Sequence, residues 1–167
     1  MGIFSFIKDA GKKIFGLDKL RTQEAGKTDR LEKEERKENE KAAAKLEQTI
    51  HDLNLKVDNL KIHIENDMAV VSGKAKDQST REKIILVVGN SEGIGQVDDR
   101  MDVENAEPEA VFHTVERGDT LSKISKEHYG DPNQYPLIFE ANKPMLQDPD
   151  KIYPGQVLRI PPLDPKR

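Results

Sequence analysis

The chain contains no cysteine, few aromatic residues and no long apolar run. Without thiols there is no disulfide, no thiolate metal site and no cysteine nucleophile. The same absence fits a reducing compartment. Aromatics make up 5% of the 167 residues and charged residues 35%, so any core is modest and aliphatic. No apolar stretch approaches the ~20 residues that span a bilayer, which argues against stable membrane insertion. The net charge of −4 argues against nucleic acid as a partner. Catalytic signatures are missing too. The four histidines, His51, His63, His113 and His128, are scattered without HExxH spacing, and no GxSxG elbow occurs. The protein is therefore not expected to be an enzyme.

What is present begins with "MGIFSFIKDAGKKIFG", residues 1–16. Lys8 and Asp9 interrupt the apolar run, which is shorter than the roughly 7–15 residues of a secretory signal. Gly2 lacks the Ser or Thr at position 6 that myristoylation requires, because Phe6 stands there. The expectation is a cytoplasmic protein. Ile3, Ile7, Ala10 and Ile14 share a helical face, so residues 1–17 are expected to form a helical, amphipathic clamp segment. Lys8, Lys12 and Lys13 leave weak contact with lipid headgroups as a minor alternative.

Residues 18–42 are densely charged and carry almost no large apolar side chain, as expected of a solvated helix or a linker. From there Ala43, Leu46, Ile50 and Leu53 form an apolar stripe at helical spacing. Leu60, Ile62 and Ile64 then alternate with Lys61, His63 and Glu65, and Asn66-Asp67 supplies a turn, which predicts a hairpin. Ser79 and Glu82 have capping-box spacing ahead of the run Ile84–Val88, and Gly89 reads as the helix stop. A third strand carries Val97, Met101 and Val103 on one side. The order over 43–104 is α-β-β-α-β. A linker with Pro108 follows at 105–110. Residues 111–163 read β-α-α-β. The fold class is α+β.

Motifs in these two units resemble known families. "RGDTLSKIS" at 117–125, "YGD" at 129–131, "IFEAN" at 138–142 and "DKIYPGQVLRIP" at 150–161 resemble the LysM domain. Gly73 after the hairpin's second strand, with Gly93, Ile94, Val97 and Asp98, resembles the BON domain. The short "MG.F.F.KDAG" start followed by BON and LysM is similar to the family of bacterial cytoplasmic potassium-binding proteins.

Potassium is large and is held by several neutral carbonyl oxygens that replace its water shell. Calcium would call for clustered carboxylates of EF-hand type, which are missing here. Helix C-termini offer such carbonyls, because their last four C=O groups have no intrahelical partner and carry the negative end of the dipole. Helix ends at Gly11, Gly16 and Gly89, with the irregular loop "GNSEGI" at 89–94, could present them. The resemblance places the potassium ligands at the backbone carbonyls of Ile7, Ala10, Phe15, Gly89, Ser91 and Ile94. It implies a K⁺ sensor or buffer, open to Rb⁺ or Cs⁺, whose BON and LysM units compact on binding. A monomer is expected, with an unknown protein as possible partner. The LysM resemblance implies an alternative: a groove for N-acetylglucosamine units of peptidoglycan at Gly118, Asp119, Thr120 and Leu121, and at Ile152, Tyr153, Pro154 and Gly155. BON would then be an envelope module that touches phospholipid. Asp119 and Thr120 also suit helix capping, and Gly155 suits a turn.

Overall fold

The computed structural model describes residues 2–6 and 28–163. A first unit is built from strand β1 (Gly2–Ser5), helix α1 (Thr28–Asp52), β2 (Val57–Glu65), β3 (Met68–Asp77), helix α2 (Gln78–Gly89) and β4 (Gln96–Asn105). Its sheet has the order β1-β4-β3-β2. The β2–β3 pair is the expected hairpin, with Glu65 opposite Met68 and Asn66 in the left-handed region at φ 57°. Strand β4 runs parallel to β3, so α2 is the crossover between them. Alternation decides which strand faces turn inward: Ile62 and Ile64, Ala69 and Val71, and Val97 and Met101 are all buried. They meet Ile50 of α1 and Ile84, Ile85, Leu86 and Val88 of α2 in one aliphatic core.

Four details differ from the sequence reading. Residues 2–5 are a strand, not a helix: β1 lies antiparallel on β4, with Phe4 opposite Val97. Ile3, assigned above to a buried helical face, is 63% exposed. Backbone pairing with a distant strand overrides the helical spacing of that segment. The remainder of the clamp segment, Ile7 onward, lies outside the described residues. The second difference is the cap of α2. Asp77, not Ser79, caps it by accepting from the Thr80 N–H at 2.8 Å. The third concerns Gly73, which sits within β3 and not after it, at φ 141°, beside an irregularity in the β2–β3 register. The fourth is Gly89, which is the last helical residue and has no left-handed backbone. A side chain there would fall inside the Phe6 ring, so close approach is what demands glycine.

The second unit comprises β5 (Val111–Thr114), α3 (Leu121–Tyr129), a 3₁₀ turn (Pro132–Gln134), α4 (Tyr135–Ala141) and β6 (Val157–Ile160). Strands β5 and β6 pair antiparallel, with Val111 opposite Ile160. Val115, Leu121, Ile124, Ile138, Leu146, Leu158 and Ile160 fill a second core. Asp131 caps the 3₁₀ turn and Thr120 caps α3.

The two units share a buried seam. Helix α2 is buried on nearly every side because β6 covers the face turned away from the sheet. Glu82 and Arg159 are 3% and 7% exposed and pair across the seam at 2.8 Å. The second Glu82 oxygen accepts from the Ala110 N–H at 2.8 Å, so both carboxylate oxygens are used. Val157 of β6 belongs to the first core, and Phe112 of β5 packs against it. The Phe112 ring in turn meets Phe4 of β1, with centroids 5.2 Å apart.

Candidate functional site

The loop between α2 and β4, residues 90–95, is irregular, yet it is held from three directions. The Gly95 carbonyl accepts from the Phe6 N–H at 2.8 Å, which fixes the end of the N-terminal strand. The Asp67 carbonyl, in the β2–β3 turn, accepts from the N–H groups of Gly95 and Gln96. Asn90 reads the second unit: its Nδ2 donates to the Val157 carbonyl at 2.9 Å and its Oδ1 accepts from the Val157 N–H at 2.8 Å. The loop therefore joins the N-terminal strand, the hairpin and β6.

Its own oxygens divide into two groups. The end of α2 is partly satisfied, since Leu86 and Val88 carbonyls accept from the N–H groups of Asn90 and Ser91. The Val87 carbonyl accepts from Ser91 Oγ at 2.6 Å. The Ser91 carbonyl accepts from the Ile94 N–H at 3.2 Å, which turns the loop back on itself. No backbone donor among the described residues reaches the carbonyls of Gly89 or Ile94. Gly93, at φ 91°, makes the bend that sinks the Ile94 side chain to 1% exposure. Of the six predicted potassium ligands, the structure thus places Gly89 at the end of α2 and Ser91 and Ile94 on the short loop that follows. Ile7, Ala10 and Phe15 lie outside the described residues. Phe6, the residue before Ile7, is in contact with that loop.

Of the two predicted glycan loops, the one at 152–155 is tied directly to the end of β5. The Gly155 N–H donates to the Val115 carbonyl and the Val115 N–H to the Gln156 carbonyl, both at 2.8 Å. Their residues differ in use. Leu121 is core at 3% exposure, and Thr120 Oγ1 accepts from the Lys123 N–H as the helix cap. The Asp119 carboxylate accepts from the Glu116 N–H at 2.9 Å and faces His113 Nε2 at 3.2 Å. The Glu116 hydrogen bond is the main reason its pKa lies below the usual carboxylate range; burial opposes it, and the His113 contact adds to the lowering. Ile152 packs on the second core. Gly118 is exposed, as are Tyr153 and Pro154, and Gly155 is half-buried. Tyr153 also borders a cleft of about 700 Å³ between the two units, lined on the other side by Leu86, Val87 and Asn90.

Comparison with known proteins shows the family. The chain is 45% identical over 161 residues, 96% of its own length and 99% of the relative's, to the potassium binding protein Kbp of Escherichia coli O6:H1. The chain belongs to the Kbp family. In this Kbp-family chain, the BON domain family model matches residues 38–105 and the LysM domain family model matches residues 113–161. Other likenesses are partial. An uncharacterized protein of Deinococcus radiodurans is 49% identical over 49 residues, 29% of this chain and 19% of that protein. Esterase Rv1288 of Mycobacterium tuberculosis is 45% identical over 53 residues, 32% of this chain and 11% of the esterase. Both domains of the Kbp-family chain are binding modules, and no helix among the described residues is long and apolar enough to cross a membrane.

Sequence reasoning missed Asn90, Phe6 and the Glu82–Arg159 pair. Asn90 looks like an ordinary helix-end residue, and its meaning comes from a strand 67 residues away. Glu82 was assigned to a capping box, but its carboxylate is committed to Arg159 and the Ala110 N–H. The one available signal was Arg159, a charge inside the apolar closing strand "VLRI".

Proposed function

We propose that this Kbp-family protein binds K⁺ through backbone carbonyls of Gly89, Ser91 and Ile94, completed by those of Ile7, Ala10 and Phe15 from the N-terminal segment. The single observation behind this reading is the convergence of the N-terminal strand, the hairpin and β6 on the 90–95 loop. A cage of neutral oxygens suits a large monovalent ion, and Rb⁺ or Cs⁺ would fit better than Na⁺. An ion bound only when the segment is in place stabilises the closed arrangement by mass action. The protein then works as a monomeric potassium sensor or buffer of the cytoplasm, without catalysis, and binding draws BON and LysM together.

The experiment is a titration of ion-stripped protein with KCl and, at matched ionic strength, NaCl, followed by thermal melting and small-angle scattering. A saturable rise in Tm with compaction, specific to K⁺, is expected. Equal responses to both salts would reduce the effect to screening and defeat the proposal. Gly118, Tyr153 and Pro154 are exposed, which favours glycan binding as a second reading. Retention on purified peptidoglycan after deletion of residues 2–16, which should abolish the K⁺ response, would establish that activity separately.

A further inference from the structure

A second cluster of chemistry-bearing side chains lies on the LysM unit, away from the 90–95 loop. His113 on β5 and His128 in the last turn of α3 face each other, with His113 Nδ1 and His128 Nε2 separated by 3.0 Å. The rings meet edge-on at 87°. Glu127 adds a carboxylate, and one donor atom from each of the three side chains lies within 4.8 Å of the others. The far nitrogen of His113, Nε2, is 3.2 Å from the Asp119 carboxylate. An ionised carboxylate only accepts, so the His113 proton sits on Nε2 and its Nδ1 lone pair points at His128. Asp119 is itself fixed by the Glu116 N–H at 2.9 Å.

We propose that His113, His128 and Glu127 form a site for a divalent transition-metal ion of the zinc–copper class, with Asp119 as the positioning residue for His113. Imidazole and carboxylate donors suit these ions, and a carboxylate behind a ligating histidine is the usual means of fixing its tautomer. The spacing of the histidine pair is close to what a metal needs, and the exposed Glu127 side chain would have to swing in to join it. Two imidazole nitrogens on one tetrahedral Zn²⁺, at ~2.0–2.1 Å each, stand about 3.3 Å apart, so His113 and His128 need a few tenths of an ångström of separation and a turn of the rings that brings both lone pairs onto the ion. His128 ligates through Nε2 with its proton on Nδ1, and water completes the shell. The C-terminal end of α3, where His128 sits, favours a cation through the helix dipole. The site is distinct from the proposed potassium cage in every part: side-chain donors replace backbone oxygens, and all of them come from the LysM unit.

The test is calorimetric titration of the full-length protein with ZnCl₂ and with CuCl₂ at neutral pH, in the presence of excess KCl. Co²⁺ serves as the spectroscopic probe, since tetrahedral ligation gives strong visible bands. One equivalent should bind with K⁺ present, and both H128Q and E127Q should weaken it at least tenfold. D119A should weaken it by ~10–100-fold while the Co²⁺ bands persist at saturation, the mark of a positioning role. The control H51Q, which alters a histidine on α1, should bind as the unaltered protein does. Undetectable binding, or binding that H128Q leaves unchanged, overturns the proposal and leaves the cluster as a hydrogen-bonded chain. The potassium titration is read separately, so failure of one site does not disturb the other.

Discussion

The α2–β4 loop and the LysM loops around Gly118 and Gly155 are held in opposite ways. The LysM loops are closed locally: Thr120 caps the helix that follows, and Gly155 bonds to Val115 within the same unit. The α2–β4 loop is closed by distant parts, with Phe6, Asp67 and Val157 each supplying one restraint. A locally closed loop keeps its shape whatever the rest of the chain does. A loop closed from outside reports whether the outside parts are in place. Only the second arrangement suits the proposed coupling of ion binding to domain docking.

Substitutions can break this contrast, and the largest effect belongs to the buried pair. Arg159→Met strands the Glu82 carboxylate in the seam and should cost about 3–5 kcal/mol in chemical denaturation, while the double variant with Glu82→Leu recovers much of it. If Arg159→Met proves neutral, the seam is not what holds the units together. Gly89→Ala forces the Phe6 ring away and should cost ~1–3 kcal/mol. Adding Phe6→Ala should make the loss clearly less than additive, as measured in a double-mutant cycle. The K⁺-dependent rise in Tm should fall in Gly89→Ala itself. Asn90→Ala leaves both polar groups of Val157 without their partner and should cost ~1–3 kcal/mol, with scattering showing separated units and each unit still folded. Thr120→Ala, on the local side of the comparison, should cost about 1 kcal/mol and leave the potassium response intact. The smallest effect is a pH dependence. Asp119 has a folded pKa below its ordinary value, so its contribution is present above pH ~4 and is lost as pH falls through the folded value. The Tm gap between the unaltered protein and Asp119→Ala should therefore close on acidification, and a gap that persists at pH ~2 would show that Asp119 acts through packing.

Legibility in the sequence followed the same division. The α1 stripe, the Leu60-Ile62-Ile64 alternation and the Asn66 turn depend on neighbours a few residues away, and they were readable. The N-terminal strand was not, although Phe4 and Phe6 already alternate with Ile3 and Ser5. A competing helical spacing ran through the same residues, and the partner strand lies more than 90 positions later. Gly89 was recognised as special for the wrong physical reason: the constraint is a ring pressed against its Cα, not a left-handed backbone. The loop carbonyls leave no compositional trace, because every residue has one. The helix end and the irregular stretch 89–94 could be read from the residues, but the choice of Gly89, Ser91 and Ile94 within it came only from resemblance.

The N-terminal strand has one more consequence, for self-association. By covering residues 96–99 of β4, it occupies a sheet margin that would otherwise display unpaired N–H and C=O groups. Whatever releases the strand bares a template for another chain's strand, and the detached strand is the natural candidate to fill it in a neighbouring copy. Under the proposed potassium binding, the ion-free protein should be the form that exchanges segments and aggregates on concentration, and the ion-bound protein the form whose margin stays sealed.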